Sequence, residues 1–246
     1  MVYSNITIIY FSPPGRQYFV LDPHFPERLM DSGYSRTVDF VKFLLKKYSQ
    51  CDLTNKSDRD TAISGLVNRI ESALNTKGRY GVFRCFLPHL LLWKRSDEEK
   101  TALIVYEGRK VPSWSWMAYY GGIDFMSNSS LKVPDYEDLR FDTDSKALIV
   151  KVRQFENCRM EPEEKECAIF ADSERVGSLW FDMGANIQFK YCIVVGMRVD
   201  GEEDPQKTYY ILVILKKPLR KGYKRLGVGE VKAPYVSKKS DTGKLL

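Results

Sequence analysis

Histidine is almost absent from this 246-residue chain: the two present are His24, in a proline-punctuated loop, and His89, directly after Pro88. Catalysis by an imidazole beside a nucleophile and an orienting carboxylate therefore has few starting points, and no Gly-x-Ser-x-Gly turn supplies the nucleophile. Cysteine is odd in number and scattered. Cys51, Cys85, Cys158, Cys167 and Cys192 include no close Cys-x-x-Cys pair, which argues against zinc, a metal that needs four close nitrogen or sulfur ligands, and fits free cytosolic thiols better than a disulfide framework. No Gly-x-x-x-x-Gly-Lys-Ser/Thr loop is present to cradle a nucleotide phosphate. The longest apolar run, 209–215, is far short of the roughly 18–20 residues of a membrane helix. The N-terminus has no basic segment before its short apolar stretch and reads as a buried strand rather than a secretory signal. These absences predict a soluble, cytoplasmic chain with no metal and no cofactor.

What is present is ordinary globular material. Apolar residues make up 43% and charged residues 28%, a balance that excludes a mainly disordered, collagen-like or coiled-coil chain. The net charge of +6 invites a nucleic-acid or membrane partner, but it is not spread evenly. Residues 216–246 hold ten Lys or Arg against two Asp or Glu, while residues 1–215 hold 28 against 30. The basic run, Lys216, Lys217, Arg220, Lys221, Lys224 and Arg225 around Tyr223, could meet phosphates. A lysine-protected edge strand followed by a frayed tail explains it more simply.

The apolar spacing changes character along the chain. Val38, Val41, Leu45 and Tyr48 recur at helical spacing behind Ser35 as a cap, and Ile63, Leu66, Ile70 and Leu74 recur behind Ser57. Gly78 is expected to stop the second helix, and 80–86 to form a short helix or strand interrupted by Pro88. From about residue 100 the period becomes extended, with strands expected near 101–106, 123–126, 146–153, 167–171, 178–183, 191–199, 208–215 and 222–231. Strands without intervening helices predict an antiparallel sandwich or open barrel. The fold class is therefore α+β, with a helical N-terminal part packed on a mostly antiparallel β part. The organisation reads as a mixed helical region over 1–127, a linker or loop over 128–145, a β-rich region over 146–236 and a flexible basic tail over 237–246.

Two tryptophans at i and i+2 mark the densest unusual segment, Lys110-Val111-Pro112-Ser113-Trp114-Ser115-Trp116, followed by Met117-Ala118-Tyr119. In extended chain both indoles point the same way. Together with Trp93 they define a candidate interaction or ligand surface of Trp93, Pro112, Ser113, Trp114, Trp116 and Tyr119. The competing reading, preferred for bulky indoles, is a plug between the helical part and the sheet. Cys85 and His89, or a carboxylate, are the residues an enzyme reading would use. Gly227-Val228-Gly229 lacks the third glycine and following helix of a dinucleotide site and reads as a turn or bulge.

Several spaced blocks carry a family resemblance. The stretch Leu53-Thr54-Asn55-Lys56-Ser57-Asp58-Arg59-Asp60 continuing to Leu66, then Tyr80-Gly81-Val82-Phe83, Leu91-Leu92-Trp93 and Pro112-Ser113-Trp114-Ser115-Trp116 resemble, in order and spacing, the region C-terminal to the HET domain of fungal heterokaryon incompatibility proteins. The resemblance covers about residues 22–126 closely and the rest loosely. It implies a fungal, cytoplasmic protein of self/non-self recognition, a system coupled to programmed cell death, and a non-enzymatic interaction or regulatory role with a protein partner. The HET module is not found in the chain, so the chain reads either as the detached C-terminal half of a longer protein or as a stand-alone relative. No catalytic residue is carried over by the resemblance.

Overall fold

The computed structural model describes residues 8–11, 17–20, 33–96, 102–127, 131–133, 138–184, 190–198, 207–218 and 221–246. An antiparallel hairpin, β1 (Ile8–Phe11) and β2 (Gln17–Val20), comes first. Two helices follow, α1 (Tyr34–Ser49) and α2 (Arg59–Ala73). The expected stripes are their buried faces: Val38, Val41 and Leu45 on α1, and Ile63, Leu66 and Ile70 on α2.

The helix ends differ from the expectation. Gly33, with φ +80°, is the N-cap of α1, and the chain is already helical at Ser35. The Ser57 hydroxyl bonds Asn55 in a 3-10 turn ahead of α2 rather than capping it. Asn75, at φ +44°, turns the chain after Ala73, which leaves Gly78 to open a hairpin of β3 (Gly78–Arg79) and β4 (Val82–Phe83). Pro88 does not interrupt the pattern. It sits in the first turn of α3 (Leu87–Leu91), where its missing N–H has no helical partner to lose. The next pair is β5 (Trp93–Arg95) with β6 (Ile123–Phe125).

The C-terminal part is built from β7 (Leu139–Phe141), β8 (Leu148–Gln154), β9 (Arg159–Pro162), β10 (Cys167–Ala171), β11 (Glu174–Phe181), β12 (Tyr191–Arg198), β13 (Thr208–Lys216), β14 (Tyr223–Lys232) and β15 (Asp241–Leu245). All pairings in this sheet are antiparallel except the short β14–β15 contact. The chain is therefore α+β, with its helices in the N-terminal part and a large, mostly antiparallel sheet after them. The pairings β12–β13, β13–β14, β14–β15, β15–β8 and β8–β12 close into a five-stranded ring. From β14 the meander β11–β10–β9 continues and packs over the outer side of the ring.

This arrangement explains the longest apolar run of the sequence. On β13, Tyr210, Leu212 and Ile214 face a core that also holds Leu148, Val150, Ile193 and Leu245, whereas Ile211 and Val213 face a second core with Cys167, Ile169 and Leu179. A strand covered on both sides needs apolar residues at consecutive positions, not alternate ones.

Two expected boundaries do not hold. Residues 128–145, read as a linker, include β7, which pairs with β8, and Phe141 packs against Trp114 with ring centroids 5.9 Å apart. One core runs from α1 and α2 through Trp93, Trp114 and Trp116 into the ring, so the two parts share an interior instead of being joined by a loop. Residues 237–246, read as a frayed tail, contain β15, which lies along β8 with Leu245 fully buried. The lysines of that stretch disguised a strand whose one deeply buried apolar residue is its last. The expected strand over 101–106 is reduced to a bridge, Leu103 with Tyr119, and Thr101 lies outside the described residues.

Candidate functional site

The six residues expected to form a surface are placed inside the molecule or at its internal seams. Trp93, Trp114 and Trp116 are each 0% exposed and Tyr119 is 2% exposed. Pro112 is buried, and Ser113 is half-buried against the C-terminus. No ring face among the three tryptophans is open to a ligand, and their burial is that of the plug between helices and sheet. Each indole N–H is satisfied by a backbone carbonyl: Trp93 donates to Trp114 (3.0 Å), Trp114 to Lys146 (3.2 Å) and Trp116 to Gly81 (3.2 Å). The Ser115 hydroxyl donates to the Tyr80 carbonyl at 2.7 Å. Gly81 is at φ +73°, and a Cβ there would fall 2.7 Å from the Trp116 ring, so glycine is required beside that indole.

Two arginines are buried in this knot, and sequence reasoning identified neither. Arg59, the first residue of α2, is 3% exposed. Its guanidinium donates to the carbonyls of Tyr119 (2.5 Å), Ser49 (2.6 Å) and Gly121 (3.2 Å) and lies 5.2 Å from the Trp116 ring. Burial lowers its pKa. Arg225 is 0% exposed and comes from the basic run that suggested a nucleic-acid site. Its Nε and Nη2 meet the Asp182 carboxylate at 2.9 and 3.2 Å, its Nη1 donates to Leu91 O at 2.6 Å, its Nη2 also donates to Trp93 O at 2.5 Å, and the guanidinium stands 3.6 Å from the centroid of the Trp93 ring.

Local strand chemistry aims Arg225 inward. The β13–β14 register shifts between Val213 and Ile214, which face Gly227 and Arg225, so Leu226 is the extra residue of a bulge. The bulge inverts the alternation: Val228 belongs to the core shared with Trp93, Leu226 to the second core, and Arg225 turns back toward Trp93. Gly227 and Gly229, expected to mark a turn or bulge, lie in β14 immediately after it. They let β11 approach, since a Cβ would sit 2.2 Å from Trp180 O at Gly227 and 2.4 Å from Ser178 O at Gly229. Asp182, just past β11, is anchored by its own N–H on Leu226 O at 2.8 Å.

Burial pushes the Asp182 carboxyl up, and Arg225 opposes that shift. The Tyr119 phenol is also raised, by burial first and then by the Asp182 charge. Two clefts meet at the turn after β11. One, of about 310 Å³, is lined by Tyr119, Asp182, Met183, Lys224 and Leu226; the other, of about 420 Å³, by Lys94, Arg95, Glu163, Glu166 and Trp180. With the guanidinium neutralised by its own carboxylate and both enclosed, this centre is built to hold strands together, and only the cleft rims face solvent.

The residues of the enzyme reading are brought near one another, but their electrostatics oppose the chemistry. The Tyr34 hydroxyl lies 3.5 Å from His89 Nδ1 and 3.3 Å from the Cys85 carbonyl. Burial pushes the Cys85 thiol up, and burial with the nearby Lys42 charge pushes His89 down to about 4. The contact through Tyr34 reaches the Cys85 carbonyl and not its sulfur, and a neutral thiol with a neutral imidazole is the reverse of an activated thiolate pair. Of the C-terminal cations, Lys244 pairs with Asp142 at 2.7 Å and Lys232 with Glu174, while Arg225 is inside. No helix among the described residues is long and apolar enough to cross a membrane, and the described residues contain no group of three or more His, Cys, Asp or Glu placed to hold a metal ion. The chain matches no protein-family model, no curated protein and no solved structure.

Proposed function

We propose that this chain acts without catalysis of its own, as a cytoplasmic interaction region of a fungal heterokaryon incompatibility protein. The observation that carries this reading is convergence. The blocks that resemble the family lie apart in sequence, yet Arg59 from the first, Gly81 from the second, Trp93 from the third and Trp114, Ser115 and Trp116 from the fourth are joined by direct hydrogen bonds and ring contacts in one knot. Blocks that define such a knot specify a framework. The resemblance of these blocks to that family supports a shared role, and a knot whose three tryptophans are fully buried supports a role played by the surface around it.

The test is expression of the full chain in one of two fungal strains that otherwise tolerate contact, with scoring of growth arrest or cell death where they meet and affinity capture from the same cells. The expected outcome is a changed contact response together with a defined protein partner. An unchanged response in every pairing, or a purified chain that turns over a metabolite, overturns the proposal.

A further inference from the structure

The groove beside the end of α2 has the chemistry of a peptide-binding surface. It measures about 1140 Å³ and is lined by Tyr34, Asn75, Lys77, Arg84, Leu139 and Arg140, among others. That is somewhat larger than the roughly 300–1,000 Å³ of small-molecule pockets. Its three cations come from three separate elements: Lys77 from the turn after α2, Arg84 from the 3-10 turn following β4, and Arg140 from β7. All three are exposed, and none makes an ion pair among the described residues.

Elsewhere surface cations do find carboxylates, as Lys46 does with Asp124, Arg109 with Asp60 and Arg175 with Glu163. The acid on this groove, Glu71, is already engaged by the Gly78 N–H at 2.5 Å. Like charges gathered without ion-pair partners among the described residues repel one another, and an anionic occupant relieves that repulsion. Two of the three are arginines, whose planar forks suit carboxylates. Tyr34, half exposed, is the apolar part of the rim, with Leu87 and Leu139 buried in the wall beneath. Nucleic acid fits less well, because Tyr34 is the one aromatic ring among the described residues on the groove and a strand of bases needs successive stacking surfaces.

We propose that this groove binds an extended acidic peptide segment of a protein partner. The proposal rests on the interaction reading above and names the partner's chemistry. The experiment is fluorescence anisotropy of the full chain with a labelled twelve-residue Asp/Glu peptide carrying one central leucine, alongside its Asn/Gln counterpart, inorganic phosphate and a mixed-sequence single-stranded RNA. The expected result is saturable binding of the acidic peptide, at least about tenfold weaker for the neutral peptide and for the Arg84→Glu/Arg140→Glu chain. Binding should weaken further as salt shortens the screening length from about 10 Å to about 3 Å. Both arginines are exposed, so the variant should keep the parent's melting temperature, which is measured first.

Absent binding, binding untouched by the double reversal, or full competition by phosphate or RNA overturns the proposal. The fungal contact assay separates the two readings. If the wild-type chain changes the contact response and the double reversal changes it equally, the groove assignment fails and the interaction reading stands; if the wild type does nothing, the interaction reading itself fails.

Discussion

Arg225 and Arg59 solve the same problem by different means, in two regions of one core. Both are basic groups taken almost wholly out of water, a step that costs several kcal/mol for an isolated ion. Around Arg225 the charge is cancelled by Asp182, and the remaining donors go to Leu91 and Trp93 carbonyls more than 130 residues away in sequence. Around Arg59 no carboxylate among the described residues touches the guanidinium, and three carbonyl dipoles hold it within the helical half, joining α2 to the end of α1 and to the turn at Tyr119–Gly121. The first arrangement welds the ring to the helices and is sensitive to either partner alone. The second staples neighbouring segments and spreads its dependence over backbone groups that no mutation removes.

The comparison is broken most directly at the C-terminus, which belongs to the Arg225 side. The Leu246 carbonyl accepts from the Ser113 N–H at 2.9 Å and from the Ser113 hydroxyl, and that hydroxyl in turn accepts from the Arg225 N–H at 3.0 Å. Removing residues 237–246 takes away β15, opens the ring and frees this chain of bonds. The expected cost is at least about 5 kcal/mol, comparable to the whole stability of many domains, and it is read as loss of a cooperative urea transition.

Next in size is Asp182→Ala, which leaves Arg225 buried and uncompensated and should cost about 3–5 kcal/mol. The double change Asp182→Leu/Arg225→Met should be less damaging than the sum of its single changes, because neither charge is then stranded. A strictly additive double-mutant cycle in urea would mean that the pair does not act as a unit. Arg59→Met should cost less than Asp182→Ala, about 2–3 kcal/mol, since it orphans carbonyls but strands no charge. Equal losses at the two sites would erase the distinction drawn between them.

His89 gives the smallest effect and a third way to house a basic group, by keeping it neutral. Its folded pKa of about 4 lies below the ordinary value near 6.5. The unfolded chain therefore binds more protons between those values, and stability falls as pH drops from about 6.5 toward 4 and is unaffected by this group above that range. After allowance for partial solvent screening the loss is about 1–2 kcal/mol. It is measured as the pH dependence of the urea midpoint, which His89→Asn should flatten.

How much of this was legible differs from residue to residue. The α1 and α2 stripes were readable because helical burial repeats every three or four residues. The strands from 146 to 231 were readable because β-branched and aromatic runs alternate with turn residues, except β9, whose Arg159-Met160-Glu161-Pro162 is polar and mostly exposed. β15 was not readable, because Asp241, Thr242 and Lys244 are exposed, Gly243 is only half-buried and Leu245 alone is fully buried. The tryptophan segment was recognised as unusual, but its direction, inward and not outward, depended on the carbonyls of Gly81, Trp114 and Lys146 being where the indoles could reach them. Arg225 looked like one more solvated lysine-and-arginine position. The nearest signal was the Gly227-Val228-Gly229 triplet beside it, which reads as a turn or bulge but not as a sign of which side chain would be redirected.

By itself, then, the sequence determined the α+β class, the two helical stripes and the apolar run that became a strand buried on both faces. These are local properties, since burial on one face or two imposes its own spacing on the chain. The tertiary structure alone decided which charges are interior. A guanidinium becomes a core group only where a carboxylate 43 residues away, carbonyls more than 130 residues away and an indole face converge on it, and no local pattern encodes a convergence of distant partners.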